Sequence, residues 1–176
     1  MIVVFDASTL VFLFTPDASA PTDPVTGQLV GNCQDRIKHL IADLQKAKAQ
    51  IIIPAPALAE ILVYAEEAAS EWLSILNRSR HFRIAPFDQL EAVECAAMAS
   101  ARRTGAKLTQ AEKRKAKFDE QIVAIARTQM ATLILSDDGD IKKLVGDSVP
   151  VRGMADLDLP LEDAQTKLFP DDGVAG

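Results

Sequence analysis

The chain is short of the residues and patterns that many function classes need. Its 176 residues include two cysteines and two histidines. Cys33 and Cys95 cannot build a disulfide framework and lack the spacing of a metal site, so both read as reduced thiols. His39 and His81 stand alone and read as surface residues rather than ligands. A membrane span needs about 20 apolar residues; the longest apolar stretch here, Ile51 to Ala65, is shorter and holds Pro54, Pro56 and Glu60. The N-terminus has no basic residue before its apolar run, and Asp6 ends that run at once. That argues against a secretory signal and sets the expectation of a cytoplasmic protein with no membrane contact. The chain has no glycine-rich phosphate loop, nucleophile elbow, internal repeat or interdomain linker.

What is present is ordinary globular material. Hydrophobic residues make up 48% and charged residues 25%, in a length that fits one domain or one domain with a tail. The net charge of −6 speaks against a surface coated for nucleic acid. The mean conceals an asymmetry. Between Arg102 and Lys117 stand Arg102, Arg103, Lys107, Lys113, Arg114, Lys115 and Lys117 against the single acid Glu112, a local charge of +6 on a remainder of −12. Such a basic strip on an acidic body could face phosphates or simply be a solvated helix face.

The hydrophobic pattern alternates strands with helices. Ile2 to Phe5 and Ile51 to Ile53 read as buried strands, Phe82 to Pro86 and Thr132 to Leu135 as a third and a fourth strand, and Val149 to Arg152 as a candidate fifth. Helices are expected over Ala7 to Phe14, Asp35 to Ala49, Pro56 to Glu66, Ala68 to Leu76, Asp88 to Arg103, Ala116 to Met130 and Asp138 to Val145. Asp88 is placed to cap its helix and Pro56 to open one. Thr15 to Asn32, rich in Pro, Gly, Thr and Asp, reads as a long loop. Strands joined through helices imply right-handed crossovers and a mainly parallel sheet of four to five strands, covered on both faces. The domain is expected over residues 1–155. An acidic C-terminal extension follows over 156–176, frayed from Pro170.

In such sheets ligands bind beyond the carboxyl ends of the strands, and carboxylates gather there. Asp6 directly follows the first strand and reads either as a helix N-cap or as a ligand. Glu60 is the only charged residue between Ala55 and Ala65. A carboxylate on an apolar helix face is costly unless paired or bound to a cation, so Glu60 either binds a cation or escapes to solvent. Asp119 is read near a helix start, where the helix dipole favours an acid. Asp137, Asp138 and Asp140 follow the fourth strand in Leu-Ser-Asp-Asp-Gly-Asp, as a solvated turn or as cation ligands. Taken together, these hard oxygen donors suit Mg²⁺ or Mn²⁺.

Four segments, Ile-Val-Val-Phe-Asp-Ala-Ser at the start, Ile-Pro-Ala-Pro-Ala-Leu-Ala-Glu at Ile53 to Glu60, Phe-Asp-Glu-Gln-Ile-Val-Ala-Ile-Ala at Phe118 to Ala126, and Leu-Ser-Asp-Asp-Gly-Asp at Leu135 to Asp140, resemble the PIN-domain nucleases. Within that family the chain is most similar to the VapC-like toxin ribonucleases, over roughly residues 1 to 152. The resemblance implies a three-layer α/β/α sandwich whose acids hold Mg²⁺ or Mn²⁺ and cut RNA. By position Asp6, Glu60 and Asp119 match the first three acids. Ser136, Asp138 and Asp140 match the fourth motif, with Asp138 the main catalytic and metal candidate and Asp140 a second metal ligand. Asp137 falls at a variable position. Ser8 matches a small polar residue that can hydrogen-bond near Asp6, and Ser136 is a second supporting residue. The loop at 15–32 and the basic stretch before Asp119 are longer than in compact toxins of this kind.

The chemistry expected of this set is metal-assisted hydrolysis of an RNA phosphodiester. Lys107, Lys113, Arg114, Lys115 and Lys117 are the expected guides for the RNA backbone. The resemblance further implies a toxin of a toxin–antitoxin pair, with a small antitoxin protein as partner, and a homodimer. Two other enzyme classes fit less well. A haloacid-dehalogenase-type phosphatase needs a second Asp two residues after Asp6, where Ser8 stands, and a phosphoacceptor receiver needs an acid pair that is lacking. The non-enzymatic alternative is a PIN-like scaffold that binds RNA or protein without cutting.

Overall fold

The apolar runs form the strands of one sheet in a computed structural model that describes residues 1–102 and 109–160. These are β1 (Ile2–Phe5), β2 (Gln50–Pro54), β3 (Phe82–Ala85), β4 (Leu133–Leu135) and β5 (Val151–Arg152), in the order β3-β2-β1-β4-β5 with every pair parallel. Val3 to Phe5, Ile51 to Ile53, Ile134 and Leu135 are all 0% exposed. Strands without a polar face must be covered on both sides, which accounts for their unbroken apolar sequence. The covering helices are α1 (Ala7–Phe14), α2 (Cys33–Lys46), α3 (Ala55–Ala65), α4 (Ala69–Arg78), α5 (Gln89–Arg102), α6 (Gln110–Thr128) and α7 (Gly139–Val145). The result is the expected α/β/α sandwich. No helix among the described residues is long and apolar enough to cross a membrane.

The chain lays β1, β2 and β3 outward in one direction, then returns to place β4 on the other side of β1. The crevice between the carboxyl ends of β1 and β4 is therefore the sheet's switch point, where α/β folds bind ligands. Phe5 pairs with Leu135 there, and Asp6 N–H donates to Leu135 O at 3.0 Å.

Several element ends differ from the sequence reading. The largest change is in α6, which begins at Gln110 rather than Ala116. Thr109 and Glu112 form a reciprocal capping box: Glu112 N–H donates to the Thr109 hydroxyl at 3.3 Å and Thr109 N–H to the Glu112 carboxylate at 2.7 Å. That cap draws Lys113 to Lys117 into the helix, because it satisfies amides that would otherwise lack partners. Asp119 accordingly lies well past the first turn, and the helix dipole does not account for it. In α2 the helix starts at Cys33 and ends at Lys46, because Lys48 takes a left-handed φ of 53°. Pro54 closes β2 against Ala85 and serves as the N-cap residue of α3, so Pro56 sits inside the first turn. The loop after α1 is held by an antiparallel bridge between Thr22 and Leu29 and by a turn in which Asp23 accepts from Val25 N–H and the Thr26 hydroxyl. Lys107 and residues 161–176 lie outside the described residues.

The C-terminal half of α6 anchors in the core: Ile122 to Ala126 are at most 2% exposed. Glu91 of α5, 3% exposed, ties the two helices together. It accepts from the Thr128 hydroxyl at 2.6 Å and from Asp88 N–H at 3.2 Å. Burial alone would raise the Glu91 pKa, but the hydrogen bonds from Asp88 and Thr128 outweigh it and hold the carboxyl at about 2. A folded pKa below the unfolded value stabilises the fold above the unfolded pKa, and the contribution is lost as pH falls toward the folded one. Glu91→Gln should therefore cost about 1–2 kcal/mol at pH 7. In urea unfolding the gap to wild type should narrow as pH falls from the ordinary glutamate range toward 2; a gap independent of pH would contradict this account.

Candidate active site

Asp6 occupies the N-cap position of α1, but its side chain does not cap the helix. Its Oδ2 accepts from two hydroxyls instead, Ser8 Oγ at 2.8 Å and Ser136 Oγ at 2.8 Å. Each serine also receives an amide from the turn after β4. Asp137 N–H donates to Ser8 Oγ at 3.1 Å, and Asp138 N–H donates to Ser136 Oγ at 3.0 Å. The Thr9 hydroxyl, 0% exposed, lies 3.1 Å from both Asp6 O and Leu135 O. Asp6, itself 5% exposed, thus fixes the β4–α7 turn through two relayed hydroxyls at the switch point. Ser8 and Ser136 hold the supporting places read from the sequence.

Asp6 opens onto a cleft of about 440 Å³ lined by Ser8, Glu60, Asp119, Asp138 and Lys115, with Val63, Phe118 and Ile122 supplying apolar walls. Four carboxylates read from the sequence therefore share one cleft. Asp119 comes from α6 and is 8% exposed. Glu60 comes from α3 and is exposed at the cleft wall, where the surrounding cleft still removes part of the water from its carboxyl. Asp138 divides its two oxygens: Oδ1 accepts from Asp140 N–H at 2.7 Å and caps α7, while Oδ2 faces Lys115 at 2.8 Å. The capping and cleft-facing roles are both filled by one side chain.

The remaining acids of the motif face elsewhere. Asp140 is exposed, and it lines a neighbouring hollow with Lys143 and Glu120 rather than the main cleft. Asp137 turns toward the segment after β5, where its Oδ1 accepts from Met154 N–H at 2.8 Å. A Cβ on Gly153 would stand 2.5 Å from that same oxygen, so only glycine fits there without displacing Asp137.

The basic strip divides as well. Lys113, Arg114 and Lys117 are exposed along the first turns of α6. Lys115 turns inward among the acids. Its Nζ lies 2.7 Å from Asp140 Oδ2, 2.8 Å from Asp138 Oδ2 and 3.5 Å from Asp119 Oδ2. Partial burial would lower the Lys115 pKa, but the bonds to Asp138 and Asp140 raise it well above that of an ordinary lysine. Among the described residues no three acids stand, as placed, where they could hold a metal ion; three of them hold this ammonium. Sequence reasoning set Lys115 with the strip. The signal that separates it is its spacing of four residues from Asp119, which puts both on one helix face. The exposed apolar rim, Val63 at 79% and Phe118 at 55%, was also missed, because single exposed apolar residues carry no periodic signal.

The carboxylates still press on one another. Burial, then the charges of Asp6, Asp119 and Asp138, raise the Glu60 pKa. Burial also raises that of Asp119, opposed by Lys115 and reinforced by Asp138 and Asp6.

The parallel sheet order, with acids at its switch point, is the α/β/α fold that the sequence resemblance implied. Among solved structures the chain is similar to VapBC2 from Rickettsia felis bound to a DNA fragment from its promoter, with a TM-score of 0.60 and 14% identity over 90% of this chain and 100% of that one. It is similar to FitAcB from Neisseria gonorrhoeae, with a TM-score of 0.54 and 18% identity over 88% of this chain and 99% of that one. It is also similar to the sarcin–ricin loop cleaving toxin VapC20 of Mycobacterium tuberculosis, with a TM-score of 0.55 and 12% identity over 84% of this chain and 98% of that one. At these identities the likeness is one of fold. Scans of family models and of curated proteins by sequence return no match.

A carboxyl whose folded pKa is raised favours the fold most below its unfolded pKa, and that contribution is lost as pH rises through the folded value. At pH 7 the Glu60 charge therefore opposes folding. Glu60→Gln should raise Tm in metal-free buffer at pH 7, and the gain should disappear near pH 4. Glu67→Gln, on the exposed turn beyond α3, should leave Tm unchanged; equal effects from both would mean a diffuse acidic surface.

Proposed function

We propose that this chain is a metal-dependent endoribonuclease, with its nuclease domain over residues 1–155. The observation that carries the reading is the meeting of Asp6, Glu60, Asp119 and Asp138, from four separate elements, in one cleft at the switch point of a PIN-type sheet. The donor set fits a hard dication in kind: all four are carboxylates, no imidazole or thiolate competes, and two of them are already oriented by hydroxyls or helix amides. Asp6, Glu60, Asp119 and Asp138 would hold Mg²⁺ or Mn²⁺, with Asp140 at the outer edge beside α7. Bound there, the ion would acidify a water and offset charge building on the scissile phosphate.

The chain's own groups do the rest. Ser8 and Ser136 keep Asp6 Oδ2 occupied and hold the carboxylate in a single orientation. Lys113, Arg114 and Lys117 lead the RNA backbone along α6 toward Asp119, and contacts of that kind position a strand without reading its bases. The exposed Phe118 ring at the cleft wall offers a face on which an unpaired base can stack. The likeness to VapC20, described as a sarcin–ricin loop cleaving toxin, supports RNA as the substrate and a toxin role. An antitoxin protein that covers the cleft, a homodimer and a cytoplasmic setting belong to the same reading. One observation favours the alternative of a non-cutting scaffold: Lys115 already neutralises part of the acid cluster.

Cleavage of a mixed RNA pool with and without Mn²⁺ separates the two. Loss of even an outer partner of a metal ligand costs about 10–100-fold, so Asp6→Asn and Asp119→Asn should each lose at least about 100-fold of the cleavage rate while staying folded. Chelation should abolish cutting. Wild-type rates in both variants would overturn the assignment.

Salt dependence tests the strip. On single strands the logarithm of affinity falls with that of salt with a slope of about 0.7 per neutralised phosphate. The triple variant Lys113→Gln, Arg114→Gln, Lys117→Gln should flatten that slope by up to about two units. It should weaken binding of unrelated RNAs about equally. An unchanged slope would assign the strip to solvent or to a protein partner.

A further inference from the structure

We propose that Lys115 is a built-in counter-cation that competes with the divalent ion for Asp138 and Asp119, and so sets the metal concentration at which the site loads. The proposal rests on the metal-dependent reading above. Its basis is placement. The Thr109–Glu112 capping box makes the first turns of α6 helical, which sets Lys115 one turn before Asp119 on the same face. From there the side chain spans to the start of α7, so one ammonium joins carboxylates of two elements, at 2.7 Å from Asp140, 2.8 Å from Asp138 and 3.5 Å from Asp119. Two of these three carboxylates, Asp138 and Asp119, line the same cleft as Asp6 and Glu60.

A monovalent cation at that place relieves the acid–acid repulsion that a dication would otherwise relieve. An incoming ion must draw Asp138 Oδ2 and Asp119 Oδ2 from the ammonium, or bind in its repulsive field. Either route weakens metal binding. The lysine is suited to give way: its side chain is 50% exposed, and its flexible stem lets the charge swing into solvent without moving the backbone. Asp140, exposed and also 3.1 Å from Lys143 Nζ, offers the departing ammonium an outer partner.

The test is Mn²⁺ calorimetry on the full chain, with thermal unfolding as a second readout. Lys115→Met keeps the stem and removes the charge. It should bind Mn²⁺ at least about tenfold more tightly than wild type, each tenfold being about 1.4 kcal/mol. Lys115→Arg keeps the charge and should stay near wild type. Lys142→Gln on α7 removes an equal charge outside the cleft and should leave affinity within about twofold. Without metal, Lys115→Met should melt below wild type, because Asp119, Asp138 and Asp140 lose their counter-charge. With saturating Mn²⁺ the gap should close, since tighter binding stabilises more.

Asp119→Asn, run alongside, separates the two levels. If Asp119→Asn weakens Mn²⁺ binding but Lys115→Met binds no tighter than wild type, the lysine proposal fails and the metal site stands. If neither wild type nor Lys115→Met takes up Mn²⁺, or Asp119→Asn binds as wild type does, both fail. Equal tightening in Lys115→Met and Lys142→Gln would reduce the effect to net charge and overturn the specific role of Lys115.

Discussion

The site depends on one carboxylate oxygen. Asp6 Oδ2 accepts hydrogen bonds from the Ser8 and Ser136 hydroxyls, whose oxygens in turn accept from the amides of Asp137 and Asp138. A turn that carries three acids in four residues would repel itself and drift. Here its backbone is tied to the end of β1 by a chain of hydrogen bonds with each proton assigned. Charge-assisted bonds of this kind are about twice as strong as neutral ones. The central strand of the sheet thereby sets the position of Asp138, which sits over a hundred residues away in sequence. Removing either hydroxyl would leave Asp6 Oδ2 with one donor in place of two and one turn amide without its acceptor.

Electrostatics then decides what the cleft can hold. The cleft collects Asp6, Glu60, Asp119 and Asp138 on walls that are otherwise largely apolar. Such a surface repels phosphate unless a cation intervenes. Lys115 supplies one positive charge from within, and α7 contributes its capped amide end through Asp138. The net charge remaining at the cleft is negative, which makes a dication the natural complement. The basic face of α6 beyond it, at Lys113, Arg114 and Lys117, brings positive charge up to the edge of the acids.

The sheet was legible because its inner strands β1, β2 and β4 are buried on both faces and therefore read as short apolar runs, while the edge strands β3 and β5 each carry an exposed arginine. Asp6, Glu60, Asp119 and Asp138 were legible as strand-end or out-of-place acids, strengthened by the resemblance in their order and spacing. What stayed hidden was set by capping and by direction. The start of α6 hung on the Thr109–Glu112 pair, whose signature was masked by the run of lysines and arginines that follows. Asp137, Asp138 and Asp140 are chemically alike in sequence, and only the strand end and the helix cap decide which faces the cleft. Glu60 read either as a cation ligand or as an acid escaping to solvent, and its helix face, open to the cleft, leaves it exposed but only partly hydrated. Lys115 looked like one lysine among several until α6 turned it inward.

The two ends of α6 live under different constraints. Ile122 to Ala126 are sealed into the core, and Glu91 and Glu94 of α5 bind the last turn of α6 at Thr128 and Arg127. Asp119 and Lys115 ride on the same rigid rod, so neither can approach or leave the cleft by helix movement without breaking those buried contacts. Lys115, half exposed, can still shift among the acids by rotation about its own side-chain bonds. Exposed rotamers of that kind interconvert in picoseconds to nanoseconds, whereas hinge motions take microseconds or longer. Lys115 can accordingly change its carboxylate partners without any opening of the fold.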